Sequence, residues 1–464
     1  MKPANGTFRR KADRLLTRYF TGNSLDYKQV FGMILPIFVD TAFIVLMSIL
    51  NTAMISSSGV AAISAVSTVD TLNIFVVNVF IAVATGGTVI VAQYKGSGNA
   101  RMVCRAAAQA IAAVTSFALL ISAVVILLHH QTLDLLFGNV EDDVFENAAF
   151  FLIASCISFP FLAVQQAVGG VLRGVAETKP SLVLSLMMNL AYFLLNFVLI
   201  KGFDMGIVGL SISLIAARAI GAAASIVYLL KYNQTLRFKL INLLKLDWGI
   251  LKKILFIGLP FAAEQMFFNG GKLLTQTFIV QLGTLALTAN AIGNSIAMLL
   301  QIGGSTLSVA IVTVVGQCIG SRDIRDARKF IRSFLGLSVV FYLLVTGVVL
   351  PFFPALMHLF ASPDEIVSDI FMLVLVTSIA QPLLWSFSFI IPSALRAAGD
   401  SKFTSVASLL SMWLFRIVLG YVLGISLGFG LTGIWVAMVL EWGVRGWIFW
   451  RRFRGDKWYR HKLV

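Results

Sequence analysis

Two carboxylates stand inside stretches that are otherwise aliphatic and aromatic. Asp40 interrupts "LPIFVDTAF" and Glu264 interrupts "LPFAAEQMF", each four residues after a proline, Pro36 or Pro260. An ionised carboxylate at the centre of a bilayer costs about 2.5–3.5 kcal/mol on insertion scales, so an acid retained there is by default a functional candidate. The chemistry open to it is the uptake and release of a cation: a proton, a metal ion or an organic ammonium. Pro36 removes one backbone hydrogen bond and crowds the carbonyl of Gly32, which bends the helix beside Asp40. Asp40 is therefore a candidate coupling group, and the bland alternative is an aspartate that only packs.

Other polar residues in apolar surroundings extend the set. Asn189 and Asn196 are seven apart on one helical face, where they could hold a cation, hydrogen-bond Asp40 or bridge helices. Lys272 follows Glu264 by two turns on roughly the same face, so the two could pair and neutralise each other; left free, Glu264 could meet a second ion or a cationic substrate. Arg218 and Arg416 lie deep in apolar runs, and Arg416 could stack on aromatics or neutralise an acid. Asp70 falls near a span end, and Glu441 and Arg445, four apart, read as a helical ion pair. The 37 Phe and 14 Met would suit a forgiving pocket for flat compounds, although any membrane protein is rich in both.

The elements that must position these groups are legible from composition. Of 464 residues 58% are hydrophobic and only 12% charged, against the quarter usual in soluble domains, which makes this an all-α polytopic membrane protein. Stretches of about 20 apolar residues, the length of a transmembrane helix, occur at 28–52, 61–92, 104–128, 146–172, 180–201, 206–231, 251–281, 288–317, 330–353, 366–395, 403–424 and 429–452. Nearly all of the 36 Lys and Arg fall in alternate loops and at both termini, which places the termini in the cytoplasm and argues against a nucleic-acid partner. The opposite loops carry acids, as in "GNVEDDVFEN" and "SPDEIVSD". The first residues are too basic for a signal peptide, and "TFRRKADRLLTRYF" could lie as a basic amphipathic helix on membrane lipid. No phosphate-binding loop is present, the four His lie near or beyond span ends, and Cys104, Cys156 and Cys318 have no metal-ligand spacing, so neither an ATP-driven pump, an enzyme nor a cofactor is expected.

The chain also repeats itself. An offset of 224 residues superposes Pro36 on Pro260, Asp40 on Glu264, Gly59 on Gly283, and "QYKGS" on "QCIGS"; one residue less superposes Arg173 on Arg396 and Lys179 on Lys402. Two six-helix halves of the same orientation follow: a basic segment 1–27, a first lobe 28–231, a linker 232–250, a second lobe 251–452 and a basic tail 453–464.

The chain resembles the multidrug and toxic compound extrusion (MATE) family over almost its whole length. The resemblance is carried by the two "LP" openings with their acids, by "VLRGVAETKPS" and "ALRAAGDSKFTS", by "WLFRIVLGYVLG" and by "GIWVAMVLEWGVRGWIFWRRFRGDKW". It implies a bundle of two six-helix lobes, export of organic compounds, and coupling to inward H⁺ or Na⁺ movement. It also marks two departures: Asn196 stands where related transporters often have an aspartate, and Trp385, eleven residues before Arg396, stands where a branch of the family has an acid. Hard cations want several oxygen ligands, so both departures favour the proton over sodium. The expected function is a monomeric antiporter of the plasma membrane, of bacterial inner-membrane type. Its ion-coupling site would comprise Asp40, Asn189 and Asn196. Its site for an organic cation, drug or second ion would comprise Glu264, Lys272, Trp385 and Arg416. The alternative is a flippase or exporter of lipid-linked sugars, which would line its cavity with several cations for pyrophosphate.

Overall fold

The structure, a computed structural model, describes residues 5–55, 60–137, 142–236, 238, 245–360, 362–461 and 463–464, and every regular element among them is helical. Gly59, residues 138–141 of the acidic loop, and 237 and 239–244 of the expected linker lie outside the described residues. In chain order the helices are α1 (Asn5–Phe20), α2 (Tyr27–Ile55), α3 (Val60–Gly96), α4 (Ala100–Leu127), α5 (His129–Phe137), α6 (Asp142–Gly174), α7 (Thr178–Asn196) and α8 (Gly206–Val227). They continue with α9 (Trp248–Gln281), α10 (Thr284–Gly320), α11 (Ile324–Val349), α12 (Phe353–Leu359), α13 (Asp364–Ala380), α14 (Ser386–Ala397), α15 (Ser401–Ser411) and α16 (Gly430–Arg454).

Each of the twelve expected spans falls mainly on one helical stretch; 330–353 runs past the end of α11 at Val349 through a turn to the start of α12, and 104–128 and 429–452 overrun their helices by one residue. Ten of these stretches are by themselves long and apolar enough to cross a membrane. The other two, α9 and α16, run for 34 and 25 residues and are the ones that carry Glu264 with Lys272 and Glu441 with Arg445. Charge, not length, lowers their hydropathy. Large apolar side chains face outward as lipid requires, among them Leu127, Leu344 and Leu414.

The repeat is written into the backbone. The first residues of α3, α4, α5 and α8 lie 224 residues before those of α10, α11, α12 and α16. Left-handed backbone recurs at the same spacing, with Gly98 (φ 73°) matching Arg322 (62°), Asp204 (51°) matching Gly428 (73°) and Gly206 (51°) matching Gly430 (57°). An offset of 223 adds Ala176 (70°) and Gly399 (98°). Ala176 and Arg322 accept a conformation that costs L-residues about 1–2 kcal/mol. Turn geometry is thus what the two halves share.

The chain forms two compact units, residues 35–265 and residues 1–34 with 266–464, and passes between them inside α2 and inside α9. In the 35–265 unit α6 packs on α3, α4 and α8, with Phe80 edge-on to Phe159 at 5.6 Å. Glycines let backbones approach there: a Cβ on Gly86 would sit 2.6 Å from the Ile254 carbonyl oxygen and 3.1 Å from Gly258 Cα. Backbone cannot swing aside as a side chain can. Gly86→Ala should therefore lower stability by about 1–3 kcal/mol, whereas Gly32→Ala, with nothing within 4 Å, should change little; thermal unfolding of the two purified variants checks this. In the other unit α10 packs on α11 and α14, and α1 lies along α11, where Ser333 Oγ donates to the Tyr19 carbonyl at 2.6 Å.

Candidate functional site

In the 35–265 unit, Asp40 is half-buried on α2, and its Oδ1 is a buried oxygen without a hydrogen-bond partner among the described residues. The groups that act on its carboxyl are the Ser185 hydroxyl and the Arg173 guanidinium. Arg173 also donates from Nη1 to Ser181 Oγ at 3.3 Å. Asn189, one turn after Ser185, donates from Nδ2 to the Ser185 carbonyl at 2.9 Å and to its hydroxyl at 3.4 Å, so it reaches Asp40 through Ser185. Asn196 is buried further along α7 and is bonded to Tyr192, which neighbours Asp70 and Arg218. That second group is closed by Asn73, whose Nδ2 lies 3.1 Å from both Asp70 Oδ1 and Ser155 Oγ, and by Arg218, which donates to Ser158 Oγ at 2.7 Å. The two asparagines share a helix but serve different acids. Glu264 is buried at 7% exposure in the same unit.

In the 266–464 unit, Lys272, Trp385 and Arg416 line one cavity of about 390 Å³. Trp385 and Arg416 each sit where the helix widens into a π turn, Gln381–Trp385 after α13 and Met412–Val418 after α15. Such turns present side chains that a regular helix would direct elsewhere. Arg416 Nη2 meets Glu441 Oε2 at 2.8 Å and Arg445 Nη1 meets Glu441 Oε1 at 2.8 Å, so the expected pair on α16 is present and Arg416 closes its other side. Arg445 Nε donates in addition to Ser388 Oγ at 2.6 Å. All three ionic side chains are buried, Glu441 completely. The Phe268 ring has Lys272 Nζ at 5.0 Å, the Arg416 guanidinium at 5.3 Å and that of Arg445 at 5.8 Å. Trp385 stacks on Phe389 at 4.3 Å, and Phe389 in turn faces Arg445 at 4.4 Å. Three cations surround one carboxylate here, leaving a formal excess of two positive charges. The sequence reading missed Phe268 and the role of Glu441, because no local spacing links residue 416 to residue 441.

Among the described residues no three His, Cys, Asp or Glu side chains converge as metal ligands. The arrangement therefore offers a half-buried acid beside a hydroxyl and a guanidinium in one unit, and a cationic aromatic cavity in the other.

The sequence and the fold both match known proteins. The MatE family profile matches residues 36–199 and 260–422, more than half of the chain, and the two matches begin 224 residues apart, as the repeat does. The chain belongs to the MatE family of transporters. It is 30% identical to the uncharacterised transporter YisQ of Bacillus subtilis over 444 residues, covering 94% of this chain and 96% of that one. It is 25% identical to a probable multidrug resistance protein NorM of Thermotoga maritima, covering 94% of each. Its fold matches a crystal structure of the Vibrio cholerae MATE transporter VcmN, a mutant form, with a TM-score of 0.85 at 19% identity over 97% of this chain and all of the other.

Proposed function

We propose that this chain is a secondary antiporter that exports amphipathic organic compounds, drugs among them, in exchange for protons, with Asp40 as the coupling residue. The observation that carries the reading is Asp40 itself: a carboxyl inside the first membrane helix, one turn after Pro36, with one buried oxygen unpartnered and Ser185 and Arg173 beside it. A guanidinium next to the carboxyl competes with a metal cation for the same charge, while a proton needs only one oxygen and leaves Arg173 in place. That contrast favours protons over sodium. The name of the Thermotoga maritima relative supports drugs as cargo. The distribution of Lys and Arg supports cytoplasmic termini in the plasma membrane.

The flippase reading expects cations along a cavity, and Lys272 and Arg416 do line one. Its walls, however, are aromatic, which a sugar diphosphate does not require. Expression in cells stripped of their own drug exporters tests the proposal. Fluorescent amphipathic dyes should accumulate less, and a protonophore should restore accumulation. Dye levels equal to those of cells carrying an empty vector would overturn it.

A further inference from the structure

We infer that the cavity of the 266–464 unit binds small aromatic organic anions, with an anionic oxygen pair facing Lys272 and Arg416 and the ring among Trp385, Trp435 and Trp442. The inference rests on the export reading for its purpose and narrows the class of compound.

The charge balance is the first argument. Among the described residues the ionisable side chains that line the cavity are Lys272 and Arg416, both cations, and none is an acid. Glu441, the nearby carboxylate, has one oxygen on Arg416 and the other on Arg445, at 2.8 Å each. Lys272 is therefore left to share Phe268 with two guanidinium groups. Excess like charge in an apolar setting is costly, and an incoming anion relieves it whereas an organic cation adds to it.

Orphaned donors are the second. Among the described residues Arg416 Nε and Trp442 Nε1 are buried without acceptors, on residues that line the cavity and are themselves 6% and 2% exposed. Trp435 differs, since its indole N–H already donates to Asn290 Oδ1 at 3.0 Å. A buried donor left unpaired is destabilising, and a ligand carboxylate or sulfonate brings acceptors to the residues that carry these donors.

Shape is the third. About 390 Å³ lies in the range of small-molecule pockets and fits a fused pair of rings. The stacked Trp385 and Phe389 supply a flat wall.

Equilibrium binding to the purified full-length protein in detergent tests this, because it requires no gradient and so stands apart from any failure of antiport. The probes are 2-naphthoate, the neutral 2-naphthamide, 2-naphthylmethylammonium and inorganic pyrophosphate. Naphthoate should bind at least ten-fold more tightly than naphthamide, and the ammonium compound should not compete. Lys272→Met should weaken naphthoate roughly ten- to hundred-fold while leaving naphthamide unchanged, and Lys272→Arg should restore most of the affinity. Equal affinity for naphthoate and naphthamide, or naphthoate affinity unaltered by Lys272→Met, overturns the inference. Tighter competition by pyrophosphate than by naphthoate also overturns it, in favour of a phosphate site.

Discussion

Asp40→Asn should abolish uphill export driven by a pH gradient, bringing accumulation in proteoliposomes down to that of protein-free vesicles. Asparagine keeps the volume and can still bond the Ser185 hydroxyl, so the variant should insert and melt close to the parent protein. What it loses is the ability to carry a proton. A transporter couples two fluxes only if the driving ion binds the two conformations differently, and a group that cannot titrate contributes no such difference. Asp40→Glu keeps the titration in a displaced position and should retain part of the activity. Measuring export rate beside melting temperature separates the cases: full export by a well-folded Asp40→Asn protein removes Asp40 from the coupling step.

The second large effect is on stability. Glu441→Gln leaves Arg416 and Arg445 buried without their shared carboxylate, and breaking a buried ion pair by removing one partner costs about 3–5 kcal/mol. Two guanidinium groups and Lys272 would then crowd around Phe268 with no counter-charge. The purified variant should melt well below the parent, and Asp456→Asn, which loses only the exposed pair with Arg328, should not. Equal melting temperatures for Glu441→Gln and the parent would mean that another anion neutralises the cluster.

The parts legible in the sequence were those set by solvent and by symmetry. Apolar length located the twelve membrane helices, because a bilayer demands long helices with satisfied backbones. The offset of 224 gave two like halves, and helix starts and left-handed turns recur at that same offset. Three residues proposed for a substrate site, Lys272, Trp385 and Arg416, do line one cavity. What stayed hidden depends on tertiary packing. Asn189 and Asn196 share a helical face and each is tied to the residue one turn before it, Ser185 and Tyr192, yet Asp40 and Asp70, the acids beside those partners, come from other helices and no spacing on α7 marks them. Arg416 was expected to stack on aromatics or neutralise an acid, but Glu441 looked complete with Arg445 four residues on, so no spacing singled it out as that acid. The π turns that carry Trp385 and Arg416 likewise lack a pattern that period-3.6 reading detects.

The most direct test of proton coupling follows protons themselves. Proteoliposomes loaded with a pH-sensitive dye, with voltage clamped by potassium and valinomycin, receive a transported compound on one side. Proton coupling through Asp40 should give a proton flux opposite in direction to the compound, absent in Asp40→Asn and unchanged when choline replaces sodium. Transport of the compound with no accompanying pH change, or a flux that vanishes when sodium is withdrawn, would contradict it.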